Sequence, residues 1–226
     1  MSLKINKASR SDGDLTRIKM KQAAQKLFAT RGVNGVSIKD ITDASEQKNK
    51  ASLYYHFGCK ETLIAELLID GAQKIDVNRQ QYLDHMLSLK KSPTIRMFLE
   101  ALIYPVNTII DSDANGSTYI RFVADLQLNN RQLMRDILGN KWNTGYRRCL
   151  KHIQELSSDI PTQILEQRLS MIGIYSNAMF ATKEASIEAS DKSNRFWSHP
   201  YTIENIIDTL ESMLIAPISP NTKKLL

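Results

Sequence analysis

The sequence predicts an all-α protein: a small N-terminal module of three helices followed by a larger helical domain, about nine helices in total. Three observations lead there. Apolar residues recur every three or four positions along almost the whole chain, and no stretch alternates apolar with polar as a half-buried strand would. Only nine glycines and six prolines occur in 226 residues, most of them between the periodic runs. The first sixty residues also differ in charge from the rest, which sets the domain division at residues 1–60 and 61–226.

Helix 1 is expected over residues 14–31, with Ile18, Ala23, Ala24, Leu27 and Phe28 as its buried stripe and Gly32 as its stop. Ser37 suits the N-cap of a short second helix, echoed three residues on by Asp40, with Ile38, Ile41 and Ala44 facing inward. A polar turn, Ser45-Glu46-Gln47-Lys48, leads to a third helix over residues 49–55, with Leu53 inward and Gly58 at its end. A fourth helix starts near Lys60 and is long enough to reach Leu89. Pro93 fits the first turn of a fifth, which carries Met97, Phe98, Ala101 and Leu102 and which Pro105 should kink. Asp113-Ala114-Asn115-Gly116 reads as a turn. Helices are then expected over residues 118–128, 131–156 and 162–187, the last opened by Pro161, and a polar loop over 190–200. The final helix, residues 201–215, carries a stripe of Ile203, Ile206, Ile207, Leu210, Met213 and Leu214.

The formal net charge is +6. Residues 1–60 hold twelve Lys/Arg and five Asp/Glu, against eighteen and nineteen in the remaining 166. All the excess positive charge thus lies in the first quarter, which suggests a face for nucleic acid or an anionic surface, or simply a solvated one. Cys59 and Cys149 are isolated, as expected of reduced thiols in a cytoplasmic protein. No apolar run approaches the roughly 20 residues of a membrane span, and residues 1–10 lack the apolar core of a secretory signal. His56, His85, His152 and His199 are far apart, and no Gly-rich phosphate loop or nucleophile elbow occurs. Asp111 and Asp113 fall at a turn and read as solvated loop. No enzyme activity, metal or cofactor is expected.

Helices 2 and 3 are short, tightly joined and basic, the layout of a helix-turn-helix whose second helix enters the major groove of double-stranded DNA. Lys48, Asn49, Lys50 and Ser52 lie at its N-terminal end. Lysine there can read guanine or hold phosphate, and asparagine can pair with adenine. Tyr54 and Tyr55 should point about 100° apart, so that one can pack inward while the other reaches phosphate. Lys60, with only Glu61 as a nearby acid, is a candidate phosphate clamp.

Three runs then carry a family resemblance. They are Ala23-Ala24-x-x-Leu27-Phe28-x-x-x-Gly32, Ser37-Ile38-x-x-Ile41, and Leu53-Tyr54-Tyr55-His56-Phe57-x-x-Lys60-Glu61-x-Leu63. Over residues 18–68 the chain closely resembles the DNA-binding domain of the TetR family. Ser45-Glu46-Gln47-Lys48-Asn49 stands where that family usually has Ala-Gly-Val-Ser, and is similar to a subgroup with Gln-x-Asn before Tyr-His-Phe-Gly. Glu46 replaces the turn glycine, and Cys59 replaces a serine that would cap the next helix. The resemblance places Ser37, Lys39, Asn49, Lys50, Ser52, Tyr54, Tyr55, His56 and Lys60 near DNA.

The resemblance further implies a homodimer, a divergent C-terminal ligand-binding domain, and repression relieved by a small molecule. A pocket would lie among Phe98, Leu102, Phe122, Trp142, Tyr146, Met171 and Tyr175, with Arg121, Gln127 and Asn177 as candidate polar anchors. The amphipathic stripe of the last helix and the two apolar sides of the helix before it suggest a four-helix dimer interface. Its candidates are Leu169, Ile172, Ile203, Ile207, Leu210 and Leu214. A two-fold dimer would prefer a palindromic operator. The alternative is a helical DNA-binding module without an inducer, whose C-terminal domain serves only dimerisation or a protein partner.

Overall fold

The computed structural model describes residues 7–47, 49–89, 91–112, 117–139, 141–189 and 195–226. Lys48, the 113–116 turn and the first part of the 190–200 loop lie outside the described residues. The described chain is all-α, as expected, and contains no strand. Its helices are α1 (Lys7–Arg31), α2 (Ile38–Ala44), α3 (Ala51–Phe57), α4 (Lys60–Ser88), α5 (Ile95–Ser112), α6 (Tyr119–Asn129), α7 (Arg131–Leu138), α8 (Thr144–Leu156), α9 (Thr162–Glu188), α10 (Thr202–Ile215) and α11 (Pro220–Lys223). A 3-10 turn, Arg195–Ser198, precedes α10. No helix among the described residues is long and apolar enough to cross a membrane.

Three boundaries differ from expectation. α1 begins at Lys7 rather than near residue 14. The single helix expected over 131–156 is two, because Gly139 adopts a φ of +46° at the end of α7. Pro93 stands outside α5, while Pro105 sits within it and the helix continues past it.

Packing groups the chain into two units, Met1–Gly71 with Thr118–Gly139, and Ala72–Ser117 with Asn140–Leu226. The division therefore does not fall at 60/61: α6 and α7, distant in sequence, pack with the N-terminal helices. In the first unit α1 buries Met20, Ala24 and Phe28, one turn apart, and the Phe28 ring stacks on Phe122 of α6 at 5.7 Å. The expected stripe was rotated: Ile18 is 52% exposed, Ala23 and Leu27 are half-buried, and Met20 takes the inner position. In α2, Ala44 is exposed and the following Ser45 is buried, its hydroxyl donating to the Ile41 carbonyl at 2.7 Å. Gly71 of α4 is required by close approach, since a Cβ there would fall 2.1 Å from the Tyr119 ring. The Tyr119 hydroxyl donates to the Leu68 carbonyl at 2.9 Å.

In the second unit α5 packs against α8, α9 and α10. Phe98, Leu99, Ala101, Leu102, Ile103, Pro105 and Ile110 are buried. Pro105 has no N–H for the carbonyl four residues back. Arg79, itself buried, supplies a donor in its place: its Nε bonds Ala101 O, and one terminal nitrogen also bonds Leu102 O, both at 3.2 Å. Its guanidinium lies 5.7 Å from the centre of the Tyr146 ring. Arg96 links α5 to α10 through Glu204 and Asp208.

Candidate nucleic-acid interface

Ser37 and Asp40 form a reciprocal cap at the start of α2. Ser37 Oγ accepts from Asp40 N at 3.2 Å, and the Asp40 carboxylate accepts from Ser37 N at 2.7 Å. The Ser37 hydroxyl, which also donates to that carboxylate, and then the Ser37 N–H hold the Asp40 carboxyl below its usual value. Buried Ile41 seats α2, leaving Ser37 and Lys39 exposed.

Between α2 and α3 Glu46 takes a φ of +60°, the left-handed conformation that the replaced glycine would adopt freely. The turn closes with Gln47 N donating to Thr42 O at 2.8 Å. Asn49 Oδ1 then accepts from Ala51 N at 2.9 Å and helps start α3. Ser52, half-buried, donates to Gln47 Oε1 at 3.4 Å.

α3 is held by Leu53 and Phe57, one turn apart and buried. Because they occupy the inner face, neither tyrosine packs inward: Tyr54 is 53% and Tyr55 85% exposed. His56 is half-buried, with its ring edge-on to Tyr55 at 5.0 Å. Asn49 and Lys50 are exposed, and neither Lys39 nor Lys50 forms an ion pair among the described residues. Gly58 ends the helix. Cys59 Sγ lies 3.1 Å from Thr62 Oγ1.

Lys60 requires a correction. Its ammonium donates to Val33 O at 2.7 Å and Val36 O at 2.6 Å, and stands 5.6 Å from the Phe28 ring centre. Partial burial draws its pKa below the ordinary lysine value. Two of the donors of its ammonium are thus engaged inside the unit. Part of the basic excess of α1 is likewise answered within the unit, Arg17 by Glu66 and Lys21 by Glu66 and Asp70.

A short, anchored helix with exposed polar and aromatic residues, preceded by a capped helix and a tight turn, is a helix-turn-helix. Residues 22–67 match the sequence model of the bacterial regulatory proteins, tetR family. Residues 22–67 are thus a TetR-family DNA-binding domain. Its function is accordingly DNA-binding transcriptional regulation. No curated protein matches the chain in sequence. Three solved structures are similar in fold. A protein from Shewanella sp. PV-4 classed as a tetR family transcription regulator has a TM-score of 0.57 at 15% identity, covering 86% of this chain and 95% of its own. A TetR-family transcriptional regulator from Bordetella parapertussis 12822 has a TM-score of 0.55 at 14% identity, covering 90% and 97%. The fatty acid degradation regulator FadR from Bacillus halodurans has a TM-score of 0.53 at 15% identity, covering 89% and 95%.

The other candidate residues separate by unit. Phe98, Leu102, Trp142, Tyr146 and Tyr175 lie in the second unit, the first two buried in its core and the others half-buried. Phe122, by contrast, belongs to the core of the first unit, and Arg121 and Gln127 share its helix, so these three leave the pocket set. Met171 is 52% exposed and lines no interior in this chain. Asn177 is half-buried on α9.

The dimer candidates are also corrected. Leu169, Ile172, Ile207, Leu210 and Leu214 are already covered within one chain, and Ile203 is half-buried, because α10 packs on α5 and α9 of its own subunit. The exposed stripe of α9 is instead Gln167, Met171, Ile174, Ala178 and Thr182.

Asp125 of α6 was missed by sequence reasoning. Its Oδ2 accepts from Val33 N at 2.8 Å, across 92 residues of sequence, and no local pattern signals such a contact.

Proposed function

We propose that this TetR-family chain is a repressor that binds a palindromic operator as a homodimer and leaves it when a small molecule binds the second unit. The exposure of α3 carries this reading. Leu53 and Phe57 fasten the helix, and Asn49, Lys50, Tyr54 and Tyr55 are left outward, with Ser37 and Lys39 at the head of α2. In a groove, Lys50 and Asn49 can meet base edges, while Ser37, Lys39, Ser52, Tyr54, Tyr55 and His56 meet phosphates.

Each chain has one such helix, so two half-sites need two chains. The α9 stripe centred on Met171 and Ile174 supports a second copy as its cover, since exposed apolar residues of that size are left without a partner in one subunit. The effector is assigned to the second unit, near Tyr146 and Tyr175, which combine aromatic surface with hydroxyl groups.

The test begins by enriching duplexes from a random pool on the purified chain and footprinting the winner. Two symmetric half-sites, with centres a whole number of helical turns apart at about 34–36 Å per turn, are expected. One asymmetric half-site bound by a monomer overturns the reading. A compound screen for release from that duplex then tests the inducer. A chain that binds but releases for no compound favours the module without an inducer.

A further inference from the structure

Residues 32–36 connect α1 to α2, and their backbone is held by side chains rather than by regular structure. The last bond of α1 ends there, Gly32 N donating to Phe28 O at 3.0 Å. Beyond it, Val33 N donates to Asp125 Oδ2 of α6 at 2.8 Å. Val33 O and Val36 O both accept from Lys60 Nζ of α4, at 2.7 and 2.6 Å. Val33 and Val36 are 3% and 2% exposed, so water does not substitute for these partners.

The carboxylate is itself fixed. Asn129 Nδ2 donates to its Oδ1 at 2.7 Å. Gly32, at φ +72°, lies so close that a Cβ there would stand 3.0 Å from the same oxygen. Two side chains of opposite charge, on two other helices, therefore grip a single turn. That turn runs directly into Ser37, the cap of α2. α2 has seven residues and is too short to hold its place alone.

We propose that Asp125 and Lys60 are positioning residues for DNA binding: they clamp the α1–α2 turn and so place Ser37 and Lys39 relative to α3, neither acting by contact with phosphate. This rests on the reading of α2 and α3 as the DNA-binding elements. It accounts for a charge on α6, which belongs to no helix-turn-helix pattern, and it gives Lys60 a partner set that a solvated clamp would not need.

The experiment uses the full chain and a duplex enriched from a random pool by the wild type. Affinity is measured over a range of salt, and exchange of the Val33 amide is followed by NMR. D125A should weaken binding about tenfold, the effect of one lost buried hydrogen bond. It should leave the slope of log K against log salt unchanged and speed Val33 exchange. D125N keeps a carbonyl acceptor and should restore most of both; if D125A does not fold, it gives the same signature at smaller amplitude. K60M should also weaken binding with the slope unchanged. A K60M slope reduced by about 0.9 would make Lys60 a phosphate ligand and overturn its part. Wild-type affinity or wild-type Val33 exchange in D125A overturns the clamp. If the wild type enriches no duplex, the DNA-binding reading fails and the positioning role with it, while Val33 exchange still decides whether the clamp exists.

Discussion

Glu46 is a single residue in a conformation that crowds its Cβ against the backbone, at φ +60° in the turn that joins the two DNA-binding helices. Among the described residues its side chain gains only an exposed ion pair with Lys19 at 3.4 Å, which is worth little. Glu46→Gly is therefore expected to stabilise the chain by about 0.5–1 kcal/mol, read as a higher denaturant midpoint. A lower midpoint would mean that the glutamate side chain, not the backbone, decides the turn. Lys60 makes the same point about charge. Its formal +1 counts toward the basic excess of residues 1–60, yet two carbonyls of buried residues hold it.

At the level of helices, two devices can be tested separately. The Ser37 N-cap should be worth about 1 kcal/mol, so Ser37→Ala should lower the melting midpoint by that equivalent. The Asp40 carboxyl is held below its ordinary value of 3.8 in the fold, chiefly by the Ser37 hydroxyl. Its contribution is whole above that value and is lost as pH falls through the lower folded value. The gap between wild type and Ser37→Ala should thus be constant near neutrality and narrow in acid; a gap that widens in acid would refute this assignment. The second device is Arg79 at the break made by Pro105. Arg79→Met leaves the Ala101 and Leu102 carbonyls without these donors and should cost about 2–4 kcal/mol. In the Pro105→Ala background, the restored N–H can bond Ala101 O, so the same replacement should cost less. Strict additivity in that double-mutant cycle would separate the arginine from the proline.

For the whole molecule, the burial pattern distinguishes core from interface. Ile207 is fully buried within one chain, whereas Ile174 on α9 is 48% exposed. Ile207→Asp should unfold or severely destabilise the subunit, by about 4 kcal/mol or more. Ile174→Asp should leave the far-ultraviolet spectrum intact and convert a species of twice 25.7 kDa to one of 25.7 kDa on sizing. Operator affinity should fall with it, because each subunit holds one recognition helix. A wild-type monomer at micromolar concentration would remove the dimer proposal.

The sequence alone determined the all-α class and the helix-turn-helix. Each signal there is local: Ser37 with Asp40, Leu53 with Phe57, and Gly58 after α3 lie within one turn of each other, so spacing reports geometry directly. Periodicity says that a helix has an apolar face, not what covers it. For that reason the stripe of the last helix suits an interface as well as a core, and it is the fold that buries Ile206, Ile207, Leu210 and Leu214 within one chain and packs Phe122 on Phe28. Only the tertiary structure could bring α6 to α1, set Asp125 against Val33 and turn Lys60 inward, because these contacts join residues from 24 to 94 positions apart whose pairing depends on how the helices pack.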